Sequence, residues 1–402
     1  FYFLENRMSI FFNENFPNIR LHLITGPMFS GKTTKLINFV DDYLNSSKDL
    51  KCDIISSSST SAENLSSNYQ NKTLIFKYFF DNRYSSNQIS THTKVMRPAI
   101  SCQSLVPHLK ECEDMEVVAI DEGQFFDDLT EFISLLISSR KTSSRTINSS
   151  PIPLDIIIDS LDGDFLRHPF GKTLDLIPIC TTFVKLRTLW KHDNETVNES
   201  DSLFKINGSP FSFRTVKSSK IKLIGGEESY KAATRSEYMK QSQAFISTEN
   251  KDKIADSQSL SSDFGFVSIF IGRKKSGKTK ELIKKIFEIE FYNSNHSENE
   301  KKTAILISTD TESISQNFVK CKTTQTLPSF SELSNFDCIL IDDFHLYSNS
   351  AELCDSLANN GKYVFASGLS SDENNKLPAE VKLLIPMSES VIFLGNNLEL
   401  IE

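Results

Sequence analysis

The stretch Gly26-Pro27-Met28-Phe29-Ser30-Gly31-Lys32-Thr33 fits the phosphate-binding pattern G-x-x-x-x-G-K-[ST]. An apolar, strand-like run precedes it at 21–24 and a helix-like run follows at 34–44, which is the context that the pattern requires. Because backbone N–H groups of such loops surround nucleotide phosphates, we expect Lys32 to reach the β- and γ-phosphates and Thr33 to ligate Mg²⁺. The predicted nucleotide site comprises Gly26, Pro27, Met28, Phe29, Ser30, Gly31, Lys32, Thr33 and Thr34.

The same pattern returns at Gly272-Arg273-Lys274-Lys275-Ser276-Gly277-Lys278-Thr279, again after an apolar run at 267–271. Further segments repeat with it, since 117–122 resembles 338–343 and 72–75 matches 302–305. Two matches in the same context argue against chance, so the sequence predicts a duplication. The second loop would bind phosphate through Gly272, Ser276, Gly277, Lys278 and Thr279.

Composition excludes several classes of protein. The 402 residues predict two or three domains, and 39% hydrophobic with 24% charged residues is typical of globular chains. A net charge of −8 argues against a broad basic surface for nucleic acid or an anionic membrane. The seven cysteines are scattered without a C-x-x-C pair, which indicates a reducing compartment, and we expect a cytoplasmic protein. No apolar run approaches the roughly 20 residues that span a bilayer.

Apolar, β-branched runs alternate with amphipathic segments, for example 117–120 followed by 129–137. This alternation predicts an α/β fold, a RecA-like parallel P-loop sheet with flanking helices. Asp121 and Glu122 follow a predicted strand and would lie at the carboxyl edge of the sheet, where ligands bind. We expect Asp121 to associate with Mg²⁺ and Glu122 to act as general base. The alternative is that both are surface charges at the end of a strand.

Five ordered motifs between residues 21 and about 238 resemble those of the cellular-type (type II, zinc-containing) thymidine kinases. They are 26–36, 77–86 followed by Thr91-His92, 120–126, 161–171 and 224–230. The resemblance implies ATP-dependent phosphorylation of the 5′-hydroxyl of thymidine, with deoxyuridine as a further candidate acceptor. The products would be dTMP and ADP, in deoxynucleotide salvage for DNA synthesis.

The resemblance also implies roles for single residues. Glu122 would accept the hydroxyl proton, Arg83 would neutralise charge on the transferring phosphoryl group beside Lys32, and Asp81 would organise Mg²⁺ or Arg83. Arg83 could instead form a surface salt bridge. The base would enter an apolar slot beneath a lasso, between residues 211 and 230, that closes over it. The predicted nucleoside-binding residues are Met28, Phe125, Leu161, Phe165, Phe170, Ser212 and Tyr230.

The chain departs from this family in its lasso. The two cysteine pairs that hold zinc fall at Trp190 and Asp193 and at Thr234 and Glu237, and no cysteine occurs between 181 and 320. A structural zinc site needs several Cys or His ligands, and His192 alone cannot supply them, so we predict no zinc. Asp164 stands where a small hydroxyl residue is usual, and it would either alter nucleoside selection or face solvent.

The second copy keeps its phosphate loop and loses the other motifs. Ser313 and Thr311 replace Arg83 and Asp81, Asp343 replaces Glu122, and Phe344-His345-Leu346 replaces 123–125. We interpret it as a pseudoenzyme half that either binds ATP or is inert and that stabilises the assembly, in place of a neighbouring subunit of the commonly oligomeric family. A homo-oligomer stays possible.

The predicted segments are an extension at 1–18, a P-loop kinase domain at 19–190, the lasso at 191–238, a Ser-rich linker at 239–263 and the second P-loop domain at 264–402.

Two other functions remain open at this point. One is a catalytically inactive nucleotide-binding or scaffold protein, which the missing zinc ligands and Asp164 favour. The other is a P-loop ATPase that acts on nucleic acid, which the acidic net charge disfavours.

Overall fold

The computed structural model describes residues 19–55, 72–81, 88–90, 94–142, 146–147, 150–151, 153–188, 203–216, 225–226, 228–249, 264–309 and 320–395. The strands of the first half are β1 Ile19–Thr25, β2 Thr73–Tyr78, β3 Gln88–Ser90, β4 Met96–Pro98, β5 Ile100–Cys102, β6 Val117–Ile120, β7 Thr146–Ile147, β8 Ser150–Pro151, β9 Leu154–Ser160, β10 Thr182–Lys185, β11 Phe211–Arg214 and β12 Tyr230–Ala233. Its helices are α1 Lys32–Ile55, α2 Leu129–Thr142 and α3 Arg235–Glu249.

The first half is built on a six-stranded sheet in the order β10-β1-β9-β6-β2-β5, in which every neighbouring pair is parallel. The central strands β6 and β9 are buried along their whole length, which explains the consecutive apolar residues at 117–120 and 156–158. Val117 and Ala119 pack in the cluster formed with α1, whereas Val118 and Ile120 pack in the cluster that contains α2. Helices therefore cover both faces of the sheet.

The second half repeats this architecture. Its strands are β13 Phe266–Gly272, β14 Ala304–Ser308, β15 Lys320–Thr323, β16 Cys338–Ile341, β17 Tyr363–Leu369 and β18 Ser390–Leu394, and its helices are α4 Lys278–Ser294, α5 Phe330–Leu333, α6 Ser350–Asn359 and α7 Ala379–Met387. The order β18-β13-β17-β16-β14-β15 is again parallel throughout. Strand by strand, this is the order of the first sheet, so the predicted duplicated α/β fold is confirmed.

The two halves meet through equivalent edges. Outer strand β10 of the first sheet contacts outer strand β18 of the second. The rings of Phe183 and Phe393 lie with centroids 6.4 Å apart at this contact. Equivalent surfaces of related units pack here as they do in a symmetric dimer, but within one chain.

Helix α3 extends into the region that we expected to be a linker. It runs over Arg235–Glu249, and its Tyr238 packs with Phe211 and Phe213 of β11. The remainder of the expected linker, 250–263, lies outside the described residues, as does the extension at 1–18. Domain boundaries therefore stay predictions. In the described part of the chain, no helix is long and apolar enough to cross a bilayer.

Candidate active site

The phosphate-binding loop between β1 and α1 turns through left-handed residues. Phe29 has φ 64° and Gly31 has φ 84°, and Gly26 has φ 143°. A Cβ on Gly26 would lie 2.6 Å from the carbonyl oxygen of Leu186, so no other residue fits there. These turns bring the loop to the carboxyl edge of the sheet.

Lys32 and Thr33 begin α1 and already have partners within the site. Lys32 is 7% exposed, and its Nζ donates a hydrogen bond of 2.8 Å to the carbonyl oxygen of Pro27. Thr33 Oγ1 donates to Asp121 Oδ1 at 3.0 Å. The hydroxyl and the carboxylate predicted for Mg²⁺ are thus adjacent.

Four carboxyl groups gather at the ends of three strands. Asp81 follows β2, Asp121 and Glu122 follow β6, and Asp159 lies near the end of β9; all four side chains are less than a tenth exposed. Burial, followed by the charges of Asp159, Glu122 and Asp81, raises the pKa of Asp121 well above its usual range. Burial and then Glu122 raise the pKa of Asp159 to about 6, although Lys32 opposes the shift. This concentration of buried negative charge favours a cation at the site.

Asp159 is a site residue that the sequence reasoning missed. Its Oδ1 accepts a hydrogen bond of 2.7 Å from the backbone N–H of Glu122. Its Oδ2 is buried without a hydrogen-bond partner among the described residues. The signal was present, because Asp159 follows three consecutive isoleucines on a strand, just as Asp121 follows an apolar run.

Glu122 is held at both its backbone and its side chain. The residue is left-handed with φ 57°, and its carboxylate accepts a hydrogen bond of 2.5 Å from Gln124 Nε2. Gln124 in turn accepts at Oε1 from the backbone N–H of Leu161 at 3.0 Å. A Cβ on Gly171 would lie 2.4 Å from the carbonyl oxygen of Gln124, which explains glycine there. The motifs at 120–126 and 161–171 therefore form one hydrogen-bonded unit around Glu122.

The predicted nucleoside-binding side chains lie together beside this unit. Phe125 and Phe170 pack edge to face with centroids 5.8 Å apart. The cluster contains six of the seven predicted residues, namely Met28, Phe125, Leu161, Phe165, Phe170 and Tyr230. Tyr78 belongs to it as well, stacked on Phe125 with centroids 5.1 Å apart. Tyr78 lies in the motif at 77–86 and was not among the predicted slot residues.

The lasso strands connect this cluster to the phosphate loop. Strands β11 and β12 form an antiparallel hairpin that carries Ser212 and Tyr230. Ser212 Oγ accepts a hydrogen bond of 2.8 Å from the backbone N–H of Met28. The seventh predicted residue therefore contacts the loop directly. Residues 217–224 and 227, between β11 and β12 in the sequence, lie outside the described residues.

One cavity lies between the phosphate loop and the carboxylates. Its lining runs along the phosphate loop from Met28 to Thr34 and includes Asp81, Asp121 and Glu122. Gly226 of the lasso also lines it. The phosphate loop and the carboxylates thus face one space, covered on one side by the lasso.

Two of the four positions at which we expected the family's cysteines, Thr234 and Glu237, have another role in this chain. Thr234 and Glu237 form a capping box at the start of α3: Glu237 Oε2 accepts from the Thr234 N–H at 2.8 Å, and Thr234 Oγ1 accepts from the Glu237 N–H at 3.3 Å. Asp164 is buried rather than facing solvent, and its Oδ1 closes its own turn by accepting from the N–H groups of Leu166 and His168. Its charge is therefore engaged locally.

Some predicted residues cannot be placed. Arg83, Thr91, His92, Trp190, His192, Asp193, Thr311 and Ser313 lie outside the described residues. Within the described ranges, no group of three or more His, Cys, Asp or Glu side chains is arranged to hold a metal ion. Mg²⁺ does not require such a cage, since it is usually held by one or two carboxylates, water and substrate phosphates. Thr33 and Asp121, beside the unpartnered oxygen of Asp159, fit that mode of binding.

The second loop has nearly the same geometry as the first. Lys275 and Gly277 have φ 65° and 96°, and Lys278 Nζ donates to the carbonyl oxygen of Arg273 at 2.9 Å. Thr279 Oγ1 donates to Asp342 at 3.1 Å, and Asp343 is left-handed with φ 48°. Burial lowers the pKa of Lys278, an effect that Asp343 and Asp342 oppose.

The second copy differs from the first beside the position of the aromatic cluster. Ser367 replaces Asp159, and its Oγ accepts from the Asp343 N–H at 3.0 Å. Leu346, the counterpart of Phe125, is 58% exposed, whereas Phe125 is 6% exposed. The phosphate side of the site is retained, and the described residues form no comparable slot.

The raised pKa of Asp159 predicts how stability depends on pH. Between pH 3.8 and about 6, Asp159 keeps its proton in the folded state and loses it in the unfolded state, so the free energy of unfolding falls as pH rises. Above pH 6 the buried Asp159 is charged, and the full loss of stability remains. Asp159→Asn should therefore raise Tm at pH 8 by a few degrees, on the order expected for one buried charge, and by less at pH 5. Thermal unfolding without nucleotide and with a chelator measures this. Asp42→Asn, at an exposed position on α1, is the control. An equal shift at both pH values, or a lower Tm at pH 8, would contradict the prediction.

Comparisons of the sequence with known proteins identify its family. The family model described as thymidine kinase matches residues 19–64, 60–238 and 265–397. A thymidine kinase of Variola virus is 33% identical over 219 residues, covering 54% of this chain and 96% of the relative. The cytosolic thymidine kinase of Gallus gallus is 28% identical over 241 residues, covering 59% and 85%, and thymidine kinase 1 of Dictyostelium discoideum is 30% identical over 223 residues, covering 54% and 77%. Since the family model matches both halves, the chain belongs to the thymidine kinase family.

Proposed function

We propose that the first half transfers the γ-phosphoryl group of ATP to the 5′-hydroxyl of thymidine, with deoxyuridine as a further acceptor, and releases dTMP and ADP. One observation carries the proposal: Glu122 lies in the cavity of the phosphate loop and is hydrogen-bonded through Gln124 to the aromatic cluster. Such an arrangement brings a phosphoryl donor, a base and an apolar slot together, as phosphoryl transfer to a nucleoside requires.

The phosphate loop would bind the triphosphate by its backbone N–H groups. Lys32 would leave the carbonyl oxygen of Pro27 and donate to the β- and γ-phosphates. Mg²⁺, held by Thr33 and Asp121, would neutralise charge between the phosphates. The pKa values of Asp121 and Asp159 are raised by burial and by the neighbouring carboxylates. When a bound cation offsets this negative charge, the two side chains would release protons, so nucleotide binding would depend on pH.

Glu122 would accept the proton of the attacking hydroxyl. Its left-handed backbone turns the carboxylate into the cavity, and Gln124 restricts the rotation of that carboxylate. Gln124 also accepts from the Leu161 N–H, which begins the segment 161–171 that we call the nucleoside loop. Movement of this loop is therefore linked to movement of the Glu122 carboxylate. Positioning of this kind supplies much of the rate in phosphoryl transfer.

The thymine ring would enter between the aromatic side chains and the lasso. Phe125, Phe170 and Tyr230 are each less than a tenth exposed, so the rings must part to admit the base. Ser212 would lie beside the thymine methyl, and Arg83 and Asp81 would keep the roles that the family resemblance implies. We also propose a cytoplasmic location, as the name of the chicken relative states for that protein, and no zinc in the lasso.

Replacing the proposed base tests this mechanism. Glu122→Gln keeps the shape of the side chain and the bond to Gln124 but cannot accept a proton, so kcat for thymidine should fall about 10²- to 10⁴-fold. ATP binding, measured by calorimetry, should stay within about twofold, because Glu122 does not hold phosphate. The control is Glu131→Gln, at an exposed position on α2. Turnover of Glu122→Gln close to that of wild type would refute the role of Glu122. ATP binding by wild type without transfer to any deoxynucleoside would favour the inactive alternative.

We propose further that the second half binds a nucleoside triphosphate with Mg²⁺ and does not transfer phosphate to a nucleoside. The observation that favours binding is the shared geometry of the two loops, from the left-handed fourth residue to the bond between Thr279 and Asp342. Arg273, Lys274 and Lys275 replace three uncharged residues of the first loop, which strengthens attraction for phosphate. The exposed Leu346 argues against a nucleoside slot.

Nucleotide stoichiometry tests the second site. Equilibrium dialysis with Mg²⁺ and a non-hydrolysable ATP analogue should give about two bound nucleotides per wild-type chain, since both loops carry the phosphate-binding pattern. Lys32→Ala and Lys278→Ala should each retain about one, and the double variant should retain none. Lys284→Ala, at a side chain that is 65% exposed on α4, is the control. Loss of all binding in Lys32→Ala alone would show that the second loop holds no nucleotide.

A further inference from the structure

A buried group of charges joins the two halves behind the nucleoside slot. From the first half come Arg167, Lys185, Arg235 and Asp162, and from the second half come Asp355 and Glu389. Each of these six residues is 9% exposed or less. We call them the interdomain charge cluster.

Arg167 ties the nucleoside loop to the second half. It lies between Phe165 and Phe170 in the fourth motif and donates to both oxygens of Asp355, at 2.7 and 2.8 Å. Its guanidinium also lies 4.7 Å from the ring centroid of Tyr238, whose hydroxyl donates to the carbonyl oxygen of Phe165 at 2.8 Å. A bidentate ion pair fixes the direction of the arginine as well as its distance. Asp355 thus restrains the loop that carries three side chains of the slot, Leu161, Phe165 and Phe170.

Arg235 ties the lasso to the second half. It begins α3, two residues after β12 ends. Its guanidinium donates to Asp355 at 2.5 Å and to both oxygens of Glu389, at 2.7 and 2.9 Å. Glu389 is itself fixed, because its Oε2 accepts from the backbone N–H of Val267 in β13 at 2.7 Å. The base of the lasso hairpin is therefore anchored to the second sheet.

Lys185 makes the third connection. It ends β10, its side chain is fully buried, and it forms an ion pair of 2.6 Å with Asp162 of the nucleoside loop. Its Nζ donates to the carbonyl oxygens of Ile385 and Ser388 at 2.6 and 2.8 Å, at the carboxyl end of α7. A cation is stabilised at that end of a helix. Next to Asp162, a Cβ on Gly163 would lie 2.7 Å from Pro386, so the loop touches the second half directly.

The charges balance only when both halves are present. The first half contributes three cations and one carboxylate to the cluster, a net charge of +2, and the second half contributes two carboxylates, a net charge of −2. A buried charge that loses its partner destabilises its surroundings strongly. Without Asp355 and Glu389, the nucleoside loop and the lasso base would have to rearrange to reach water.

We propose that Asp355 and Glu389 are positioning residues for the nucleoside site of the opposite half. The second half then holds the nucleoside loop and the lasso in place, independently of any nucleotide that it binds. The inference rests on the proposed nucleoside kinase function, since it assigns what the charge cluster positions. Neither residue lines the cavity that contains Glu122.

Steady-state kinetics of full-length variants test this role. Asp355→Asn keeps the size of the side chain and removes its charge, so KM for thymidine should rise about tenfold, while KM for ATP stays within about twofold. Glu389→Gln leaves the bidentate pair of Arg167 intact and should raise KM for thymidine by less. Asp175→Asn is the matched control, because Asp175 also pairs across the two halves, with Lys382 at 2.5 Å, but lies at a partly exposed position outside the cluster. The control should leave both KM values unchanged.

Three results would overturn the inference. They are an unchanged KM for thymidine in Asp355→Asn, an equal rise of KM for both substrates, and the same change in Asp175→Asn. If Asp355→Asn does not fold, Arg167→Lys and Glu389→Gln give the same comparison, because Arg167→Lys keeps the charge and loses the bidentate geometry.

Amide hydrogen exchange separates this inference from the proposed function. If wild type phosphorylates no deoxynucleoside, the kinase proposal fails by itself. The charge cluster still predicts faster exchange in Asp355→Asn at 162–170 and 211–214. Exchange at 29–33 of the phosphate loop, beyond the Met28 N–H that Ser212 binds, should be unchanged. Unchanged exchange at 162–170 would overturn the positioning role.

Discussion

The left-handed turn at Glu122 is the constraint on which the active site depends. Strand β6 ends just before it, so Asp121 can meet Thr33 while Glu122 enters the cavity. A left-handed conformation costs a residue other than glycine roughly 1–2 kcal/mol. The hydrogen bond from the Glu122 N–H to Asp159 offsets part of that cost and requires a polar side chain at the end of the neighbouring strand. In the second copy, Ser367 plays the same part for Asp343 without a charge. The left-handed turn is therefore common to both copies, whereas the charge at the position of Asp159 occurs only in the first.

The two copies also show how one fold can lose a nucleoside slot and keep a phosphate loop. Gly123 of the first copy packs against Ile158, and a Cβ there would lie 2.7 Å from that side chain. In the second copy the corresponding residue is Phe344, and space for its ring is provided by Gly368, whose counterpart is Ser160. The exchange replaces the polar bridge from Gln124 to Ser160 by an apolar contact. The bond from the Leu161 N–H to Gln124 keeps a longer counterpart in the second copy, where the Leu369 N–H donates to His345 Nδ1 at 3.4 Å.

Local sequence patterns were sufficient to predict the duplicated parallel fold and both phosphate loops, because each depends on residues close together in the chain. The aromatic slot, whose residues run from Met28 to Tyr230, was expected from the family resemblance instead. Asp159 was predictable by the same logic that identified Asp121. The start of α3 was not recognised, because Thr234 and Glu237 were considered only as replacements for cysteines, although their spacing is that of a capping box. The interdomain charge cluster has no local signal: Arg167 and Asp355 are 188 residues apart, and nothing in either segment indicates its partner. Such contacts depend on how the two folded halves pack against each other, which local sequence patterns do not indicate.

The central claim is that a phosphate loop, a carboxylate and an aromatic slot in the first half form one phosphotransferase site. Product analysis of wild-type protein incubated with Mg²⁺, thymidine and ATP labelled in its γ-phosphate tests this claim most directly. The account predicts that the label appears in dTMP, at the 5′ position, in proportion to the ADP formed. Label found only in inorganic phosphate, with thymidine unchanged, would contradict it.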